Sequence, residues 1–184
     1  TLRIALYGAE ADLAAWRQRL AAVPADAWLL VDTTDAMRAL RSAAAATARG
    51  DVLLLHAGCM LPPAALARLL TSAGACTADV ISALDNIEAQ LSPLAEGAQL
   101  DGFDPLAVDR GVALFGTRCL AGTSAWSPLF SLWRQTALAA LRKRPDWQAG
   151  PLPDGLQGAV CDHLFVARAP LQLRGPALPE DPRE

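Results

Sequence analysis

The stretch that decides the fold is GDVLLLHAGCMLPPAALARLL, residues 50–70. Its first part, DVLLLHAG, is a nearly continuous apolar run between an acid and a glycine, which is typical of a strand buried on both faces of a parallel sheet. Pro62 and Pro63 then favour the first turn of a helix, ALARLL, because proline fits the start of a helix. A buried strand, a short loop and a helix in this order predict one unit of an α/β fold.

Similar units lie on both sides of this stretch. LRIALYG and AWLLVDT upstream, and ADVISALDN downstream, have the apolar pattern of strands. The segments between them are predicted helices, and Asp35 can cap the one that Gly50 ends. The alternation predicts an α/β chain with three αβα layers and a mainly parallel, Rossmann-like sheet. We expect WLLV, VLLL and ADVISAL to be adjacent strands of that sheet.

The second half of the chain is less regular. Residues 87–109 are predicted to be loop-rich, and GVALFGTRCL is predicted to be a strand. Ser127 and Pro128 are predicted to start one helix, LFSLWRQTALAALRKR. A turn-rich loop and a final strand, AVCDHLFVAR, follow. We therefore assign residues 1–175 to one domain, and residues 176–184, which are rich in proline and charge, to a tail or linker.

Composition excludes several classes of protein. The formal net charge of −3 is unlike the basic footprint of a nucleic-acid-binding domain. No apolar run reaches the roughly 18 residues that a membrane span needs, and the start, TLRIALYGAEAD, lacks the pattern of a signal peptide. The four cysteines are dispersed without a C-x-x-C pair, which argues against a zinc cluster. Together these features predict a cytoplasmic protein with reduced thiols.

Common sites of α/β folds are also missing from the sequence. There is no G-x-G-x-x-G after a strand, no G-K-[ST] and no G-x-S-x-G elbow. Asp32 at a strand end fits a response regulator, but such domains need a lysine at a later strand end. The one lysine of the chain, Lys143, falls in a predicted helix.

The ordered series LRIALYG, WLLVDTTD, ARGDVLLLHAG, LPPAALARLL and ADVISALDN resembles the nucleotide-binding half of the family-two glycosyltransferases, which have the GT-A fold. It is most similar to bacterial members that extend O-antigen and other surface polysaccharides. The likeness covers residues 2 to about 94 and, weakly, 159–175, where VCDHLFVARAPLQLRG resembles the family's C-x-x-I-R-R strand. It implies a nucleotide sugar or saccharide as ligand, and further domains of a larger parent protein as partners.

Seven residues form the predicted nucleotide- or sugar-binding set. In this resemblance Asp32 stands where an acid contacts the nucleobase, and Asp35 can supply the second acid of that turn. The others lie at or near predicted strand ends, where ligands bind in open α/β sheets. The set is Asp32, Asp35, His56, Asp85, Asn86, Asp162 and His163. The alternative roles are a helix cap for Asp35, a hydrogen-bonded loop residue for His56, and a structural polar pair for Asp162 and His163.

The sequence departs from the family at the positions that carry its chemistry. Gly58 and Met60 align with acids of the metal site, and divalent cations at diphosphates need hard oxygen ligands. A single helix fills the interval between Asp35 and Gly50, where the family has a further strand. After Gly175 no segment supplies the general base. We therefore expect no divalent metal cofactor, and weakened or lost transfer of the sugar.

A second function of another class remains open at this stage. The chain can be a non-catalytic interaction or scaffold module of a larger polysaccharide-assembly protein. Its contact surface would then include exposed Trp126 and Trp147 and the loop 87–110. Ordinary packing of both tryptophans in the core is the alternative.

Overall fold

A computed structural model of the chain describes residues 1–93, 104–116 and 119–169. The elements of these residues alternate from strand to helix through the first half of the chain. Their bounds are β1 Leu2–Tyr7, α1 Glu10–Leu20, β2 Trp28–Val31, α2 Ala36–Ala46, β3 Asp51–His56, β4 Cys59–Met60, α3 Ala65–Ala75, β5 Val80–Leu84, α4 Pro105–Phe115, β6 Cys119–Thr123, β7 Phe130–Trp133, α5 Gln135–Lys143, β8 Gly158–Phe165 and β9 Ala167–Arg168.

Seven of the strands form one mixed sheet in the order β2-β1-β3-β7-β5-β8-β6. The five strands β1, β2, β3, β5 and β8 share one direction, whereas β7 and β6 run the opposite way. The short strands β4 and β9 pair separately, with Cys59 opposite Arg168. The prediction of an α/β fold is confirmed, and the carboxyl ends of the five co-directed strands lie at one edge of the sheet.

Helices cover both faces of the sheet, which gives three layers. On one face, Leu13 of α1 and Leu69 of α3 belong to an apolar cluster with Leu53 and Ile81 of the sheet. On the other face, α2 and α5 pack against the opposite sides of the same strands, with Trp133 among the fully buried side chains. Because both faces are buried, the central strands are mostly apolar, as the run VLLL indicated, with Ser82 and Ser131 as buried polar exceptions.

The expected adjacency of the three buried strands is wrong. β1 lies between β2 and β3, and β7 lies between β3 and β5. The intervening strands β1 and β7 are each hydrogen-bonded on both sides to a neighbouring strand. The strands WLLV, VLLL and VISAL still run in the same direction within one sheet, as predicted.

The predicted helix from Leu129 to Arg144 is half wrong. Phe130–Trp133 is strand β7, and the helix begins only at Gln135. The short run FSLW has both sides of its backbone paired, to β3 and to β5. If FSLW were helical, β3 and β5 would each lose the hydrogen-bonding partner on one side. The pairing of FSLW with both strands therefore outweighs its local preference for helix.

The predicted strand GVALFGTRCL is also wrong in its first half. Residues Pro105–Phe115 form helix α4, which starts inside the segment predicted as loop. The carboxylate of Asp104 accepts a hydrogen bond from the backbone N–H of Leu106 at 2.9 Å, and Pro105 occupies the first turn. Among the described residues of this part of the chain, the strand is Cys119–Thr123. The boundary between domain and tail near residue 175 lies outside the described residues.

Other predictions from the sequence are confirmed. Asp35 caps α2 by accepting a hydrogen bond from Arg38 N at 2.8 Å, and one helix spans the interval to β3. The prediction that Gly50 ends this helix is wrong, because α2 stops at Ala46 with Thr47 as its C-cap. Gly50 instead has φ +101°, and a Cβ atom there would lie 2.3 Å from the carbonyl oxygen of Thr1, so a glycine is required before β3. Among the helices of the described ranges, none is both long enough and apolar enough to cross a membrane.

Candidate functional site at the carboxyl ends of the strands

Asp85 follows β5 directly and is fully buried. Its Oδ1 atom accepts hydrogen bonds from the backbone N–H groups of Ile87 at 2.9 Å and Glu88 at 2.7 Å. Its Oδ2 atom accepts a hydrogen bond from the hydroxyl of Ser127. Burial outweighs these bonds and raises the pKa of Asp85 to about 6. The carboxylate therefore holds the turn after β5 in place, and both of its oxygen atoms already accept hydrogen bonds from the protein.

Asn86 is the next residue and is also buried. Its side-chain amide donates to the carbonyl of Arg168 at 2.9 Å, and its oxygen accepts from the N–H of Arg168 at 2.9 Å. Both arms of Asn86 thus hold β9, which in turn pairs with β4 in the loop after β3. Asn86 is a residue that positions Arg168 at the carboxyl edge of the sheet.

His56 ends β3, and its ring is buried against Tyr7. The two rings meet edge to face with centroids 4.9 Å apart. The Nδ1 atom of His56 accepts a hydrogen bond from Gly58 N at 3.0 Å, so the proton of the neutral ring is on Nε2. That Nε2 atom is buried and has no hydrogen-bond partner within the part of the chain that the structure describes. A buried donor without an acceptor is uncommon, and this marks His56 as a candidate for contact with a ligand.

The charges around His56 and Tyr7 come from Arg168, Asp12 and Asp85. Burial lowers the pKa of His56 to about 4, the positive charge of Arg168 lowers it further, and Asp12 opposes both effects. Burial likewise raises the pKa of the Tyr7 phenol, and Arg168 partly offsets the rise. The Tyr7 hydroxyl donates to the carbonyl of Pro128 at 2.6 Å. At neutral pH both rings are uncharged, and Arg168 supplies the positive charge beside them.

A cavity of about 270 Å³ opens at the same edge of the sheet. It lies between the start of α2, the turn after β5, the segment before β7 and the loop after α5. Its lining is acidic and aromatic, and comprises Asp35, Ala36, Met37, Glu88, Trp126, Pro128, Gln148, Ala149 and Gly150. The volume is close to the lower end of the range for small-molecule sites, about 300–1,000 Å³. It suits one ring system rather than a whole nucleotide sugar.

The two predicted acids after β2 are both exposed, and they differ in position. Asp35 lines the cavity while its carboxylate caps α2. Asp32 lies three residues earlier on the same turn. Of the seven residues predicted from the sequence, Asp35 is the one that contributes to the lining of this cavity.

Asp162 and His163 lie in another part of the sheet, on a bulge of β8. The partner of Ala83 on β8 is Cys161, but the partner of Leu84 is Phe165, so the three residues 162–164 are extra. The bulge lets the neighbouring side chains meet, with His163 Nδ1 3.6 Å from Asp162 Oδ1, and each side chain is 22% exposed. The carbonyl of His163 accepts a hydrogen bond from Arg68 of α3. Neither residue lines the cavity described above, and both the structural pair and a ligand contact by one of the two remain predictions.

The loop after β3, in which the resemblance would expect a metal site, has no carboxylate of its own. A Cβ atom at Gly58 would lie 2.9 Å from the Asp12 Oδ2 atom and 3.2 Å from the His56 ring. The carboxylate of Asp12, from α1, therefore occupies the space into which a side chain at position 58 would extend. Within the described ranges, no group of three or more histidine, cysteine, aspartate or glutamate side chains could hold a metal ion.

Several residues of this edge were not predicted from the sequence. Ser127 was assigned to a helix start, whereas its hydroxyl anchors Asp85. Tyr7 was predicted only as the end of a strand, whereas its ring packs against His56 and its hydroxyl donates to the carbonyl of Pro128. Arg168 stands in the segment that resembles the C-x-x-I-R-R strand, so its position carried a usable signal. Trp126 and Trp147 are 9% and 8% exposed and form part of the core, so the predicted aromatic contact surface is wrong.

Comparison of the chain with known proteins found no family model, no curated relative and no solved structure that matches it.

Proposed function

We propose that the chain is a glycosyltransferase-like domain of the GT-A type, reduced in size, from bacterial polysaccharide synthesis, that binds a nucleotide sugar without a divalent metal. The observation that carries the proposal is the cavity at the carboxyl edge, with the Asp35 carboxylate in its wall. In the resemblance, the acids of this turn contact the nucleobase; Asp35 lines the cavity and Asp32 does not, so the proposal assigns this contact to Asp35 alone. A carboxylate can accept hydrogen bonds from the N–H groups of a base.

The order of the elements supports this proposal. β1 leads into α1, β2 leads to Asp32 and Asp35, β3 leads through Pro62 and Pro63 into α3, and β5 ends at Asp85 and Asn86. Each step is the one that the resemblance implies. Ligands of open α/β sheets bind outside the carboxyl ends of the strands, which is where the cavity opens.

Arg168 is the group that we propose for the diphosphate. Its charge acts on both His56 and Tyr7, and Asn86 fixes its backbone at the carboxyl edge. The guanidinium group binds phosphate through paired N–H donors. His56 Nε2 adds a buried donor with no acceptor among the described residues. The arginine would then supply part of the positive charge that a metal supplies to the diphosphate in the family, and the neutral imidazole would add a hydrogen-bond donor.

Transfer of the sugar is weakened or lost in this proposal. Gly58 offers no ligand atom, Met60 is a soft ligand, and Asp12 is a single carboxylate beside the loop. Asp85 is held by three hydrogen bonds inside the protein, so it is unsuited to act as a general base toward an acceptor hydroxyl. We therefore propose that this chain binds the nucleotide sugar but transfers the sugar weakly or not at all.

The experiment is a calorimetric titration of UDP-glucose, GDP-mannose and dTDP-rhamnose into the chain, each with EDTA and then with Mn²⁺. The proposal expects at least one nucleotide sugar to bind in EDTA, with an affinity that Mn²⁺ changes less than threefold. Binding that needs Mn²⁺ would contradict the metal-free site. No binding by any of the three would contradict the function.

An interaction module is the second candidate, and exposed apolar side chains support it. Leu114 and Phe115 at the end of α4 are 78% and 88% exposed, and Leu120 on β6 is 52% exposed. Leu114 and Phe115 are neighbours at the end of α4, and Leu120 lies on β6, which pairs with the strand β8 against which Gly116 packs. Large apolar side chains exposed together are typical of a protein interface. This surface replaces the tryptophan surface predicted from the sequence.

A further inference from the structure

The thiols of Cys76, after α3, and Cys119, on the edge strand β6, contact each other; neither residue lines the carboxyl-edge cavity. The sulfur atoms of Cys76 and Cys119 are 2.9 Å apart. This separation is shorter than the roughly 3.5–4.0 Å of an ordinary non-bonded contact between heavy atoms. It is longer than the S–S bond of a disulfide, about 2.05 Å. A small movement of the two side chains would bring the sulfur atoms to bonding distance.

Both cysteines are held by well-defined structure. Cys76 directly follows α3, and the Arg134 guanidinium donates hydrogen bonds to the carbonyls of Cys76 at 2.9 Å, Ala78 at 2.8 Å and Ala73. Cys119 begins the edge strand β6, where it pairs with Cys161 of β8. The close approach of the two sulfur atoms is therefore set by α3 and by the sheet, which are both part of the folded core.

The pair is reachable by a small reagent. Cys76 and Cys119 are partly exposed, whereas Cys161 is buried and Ser72 Oγ lies 3.1 Å from its sulfur. Cys59 lies elsewhere, in the loop after β3, and its sulfur is 3.8 Å from the carbonyl of Met60. Burial and the neighbouring Cys76 thiol raise the pKa of Cys119 to about 12. Its thiolate is therefore scarce at neutral pH, and exchange through it is slow.

We propose that Cys76 and Cys119 form a reversible disulfide by exchange with a small disulfide such as oxidised glutathione. The thiolate of one cysteine attacks a sulfur atom of glutathione disulfide, whose S–S bond breaks and releases one glutathione. The thiolate of the second cysteine then attacks the protein sulfur of this mixed disulfide and releases the second glutathione. The two protein thiols are oxidised by two electrons, glutathione disulfide is reduced, and the two thiol protons pass to the released glutathione thiolates.

The disulfide would add a covalent link between two elements of the fold. It would fasten the end of α3 to the edge strand β6, across 43 positions of sequence. The enclosed segment contains β5 and α4, so both the turn of Asp85 and the exposed side chains at the end of α4 lie inside the closed loop. A cross-link over a loop of this length restricts the unfolded chain and stabilises the folded one.

The test is thiol mapping of the purified, reduced chain after incubation in glutathione buffers of increasing oxidised fraction. Trapping of free thiols and peptide mass spectrometry should show one internal bond, between Cys76 and Cys119, that dithiothreitol reverses. Oxidation should raise the melting temperature by roughly 5–10 °C. Cys76→Ser and Cys119→Ser should each abolish both effects, whereas Cys59→Ser should retain them.

Other outcomes would overturn the proposal. Four free thiols in the most oxidising buffer would do so, as would a cross-link from either cysteine to Cys161. Stoichiometric zinc in the protein as purified, with both thiols protected from glutathione disulfide, would make the pair metal ligands and contradict a redox role. The mapping is done on the unmodified chain, so the result does not depend on the folding of the serine variants.

Discussion

The hydroxyl of Ser127 donates a hydrogen bond to the buried carboxylate of Asp85, and this contact joins the turn after β5 to the segment that leads into β7. Ser127 Oγ also accepts from the N–H groups of Leu129 and Phe130 at 3.2 Å each. One side chain therefore satisfies polar groups of two segments. Buried polar groups that lose their partner cost about 1–3 kcal/mol each.

Ser127→Ala should lower the free energy of unfolding by roughly 2–4 kcal/mol, because it leaves Asp85 Oδ2 and two backbone N–H groups without this partner. Chemical denaturation measures the change. Ser124→Ala is the matched control, since Ser124 is an exposed serine of the same segment, and it should change stability by less than about 0.5 kcal/mol. Equal effects of the two substitutions would show that the buried network is not a stability determinant.

The dependence of stability on pH should have two opposing contributions. Asp85 binds its proton more tightly in the folded chain, so its contribution is present below about pH 4 and is lost as the pH rises to about 6. His56 binds its proton less tightly in the folded chain, so its contribution is present above about pH 6.5 and is lost as the pH falls to about 4. Each is worth on the order of 3 kcal/mol.

These contributions largely cancel in the parent chain and separate in variants. Relative to the parent, Asp85→Asn should gain stability as the pH rises from 4 to about 6.5, and His56→Gln should lose it over the same interval. Denaturant midpoints at several pH values give both slopes. Parallel curves for all three proteins would refute the assigned pKa shifts.

The buried ion pair between Arg68 and Asp109 should matter far more than the exposed pair between Arg110 and Asp104. Arg68 contacts Asp109 through two bonds, of 2.8 and 3.0 Å, and the same carboxylate accepts from Phe165 N at 3.0 Å. The two arginine side chains are 20% and 68% exposed, respectively. This pair fastens α3 and α4 to β8.

Arg68→Ala should cost about 3–5 kcal/mol, because it leaves the Asp109 carboxylate buried without its cation. Arg110→Ala removes the same side chain from the exposed pair and should cost less than about 1 kcal/mol. Thermal and denaturant unfolding of the two alanine variants measure both values. The expectation fails if Arg68→Ala is as mild as Arg110→Ala.

Much of the fold could be predicted from the sequence, because long apolar runs between helix signals have few other interpretations. β1, β2, β3, β5 and β8 were all predicted as strands. The sequence error at β7 has a physical cause: FSLW is too short to show a period, and Leu129, Trp133 and Leu141 are buried in either conformation. The strand is favoured because it supplies hydrogen-bonding partners to both β3 and β5.

The candidate site was harder to predict, because its geometry depends on contacts between distant segments. The ends of β3 and β5 were placed correctly, so His56, Asp85 and Asn86 do lie at the carboxyl edge. Ser127 and Arg168 reach that edge beside β7 and on β9. No local pattern indicates the contact of Ser127, and for Arg168 the signal is the likeness of its segment to the C-x-x-I-R-R strand. The bulge in β8, where the backbone carbonyl of His163 accepts a hydrogen bond from Arg68, is likewise a tertiary feature.

Arg168→Gln should raise the pKa of His56, because the positive charge of Arg168 is one of the two causes that hold it near 4. The pKa should remain below 6.5, since burial is the larger cause and is unchanged. NMR titration of the imidazole carbon-bound protons measures it, with His163 as an internal reference. Arg110→Gln, at an exposed arginine of α4, should leave the His56 titration where it is. An unchanged pKa in Arg168→Gln would remove Arg168 from the site.

The most direct measurement of the proposed function compares two neighbouring acids. Asp35→Asn removes the charge that lines the cavity yet keeps an oxygen that can cap α2, because asparagine is an equally good cap. Asp32→Asn makes the same chemical change three residues away. Calorimetry with UDP-glucose, GDP-mannose and dTDP-rhamnose, in EDTA, gives the affinity of each variant. We expect Asp35→Asn to weaken binding of the parent chain's nucleotide sugar by about tenfold or more, equivalent to at least about 1.4 kcal/mol. Its melting temperature should be unchanged. Asp32→Asn should bind the nucleotide sugar with the affinity of the parent chain. Equal affinity of the parent chain and Asp35→Asn would contradict a nucleotide-sugar site in this cavity.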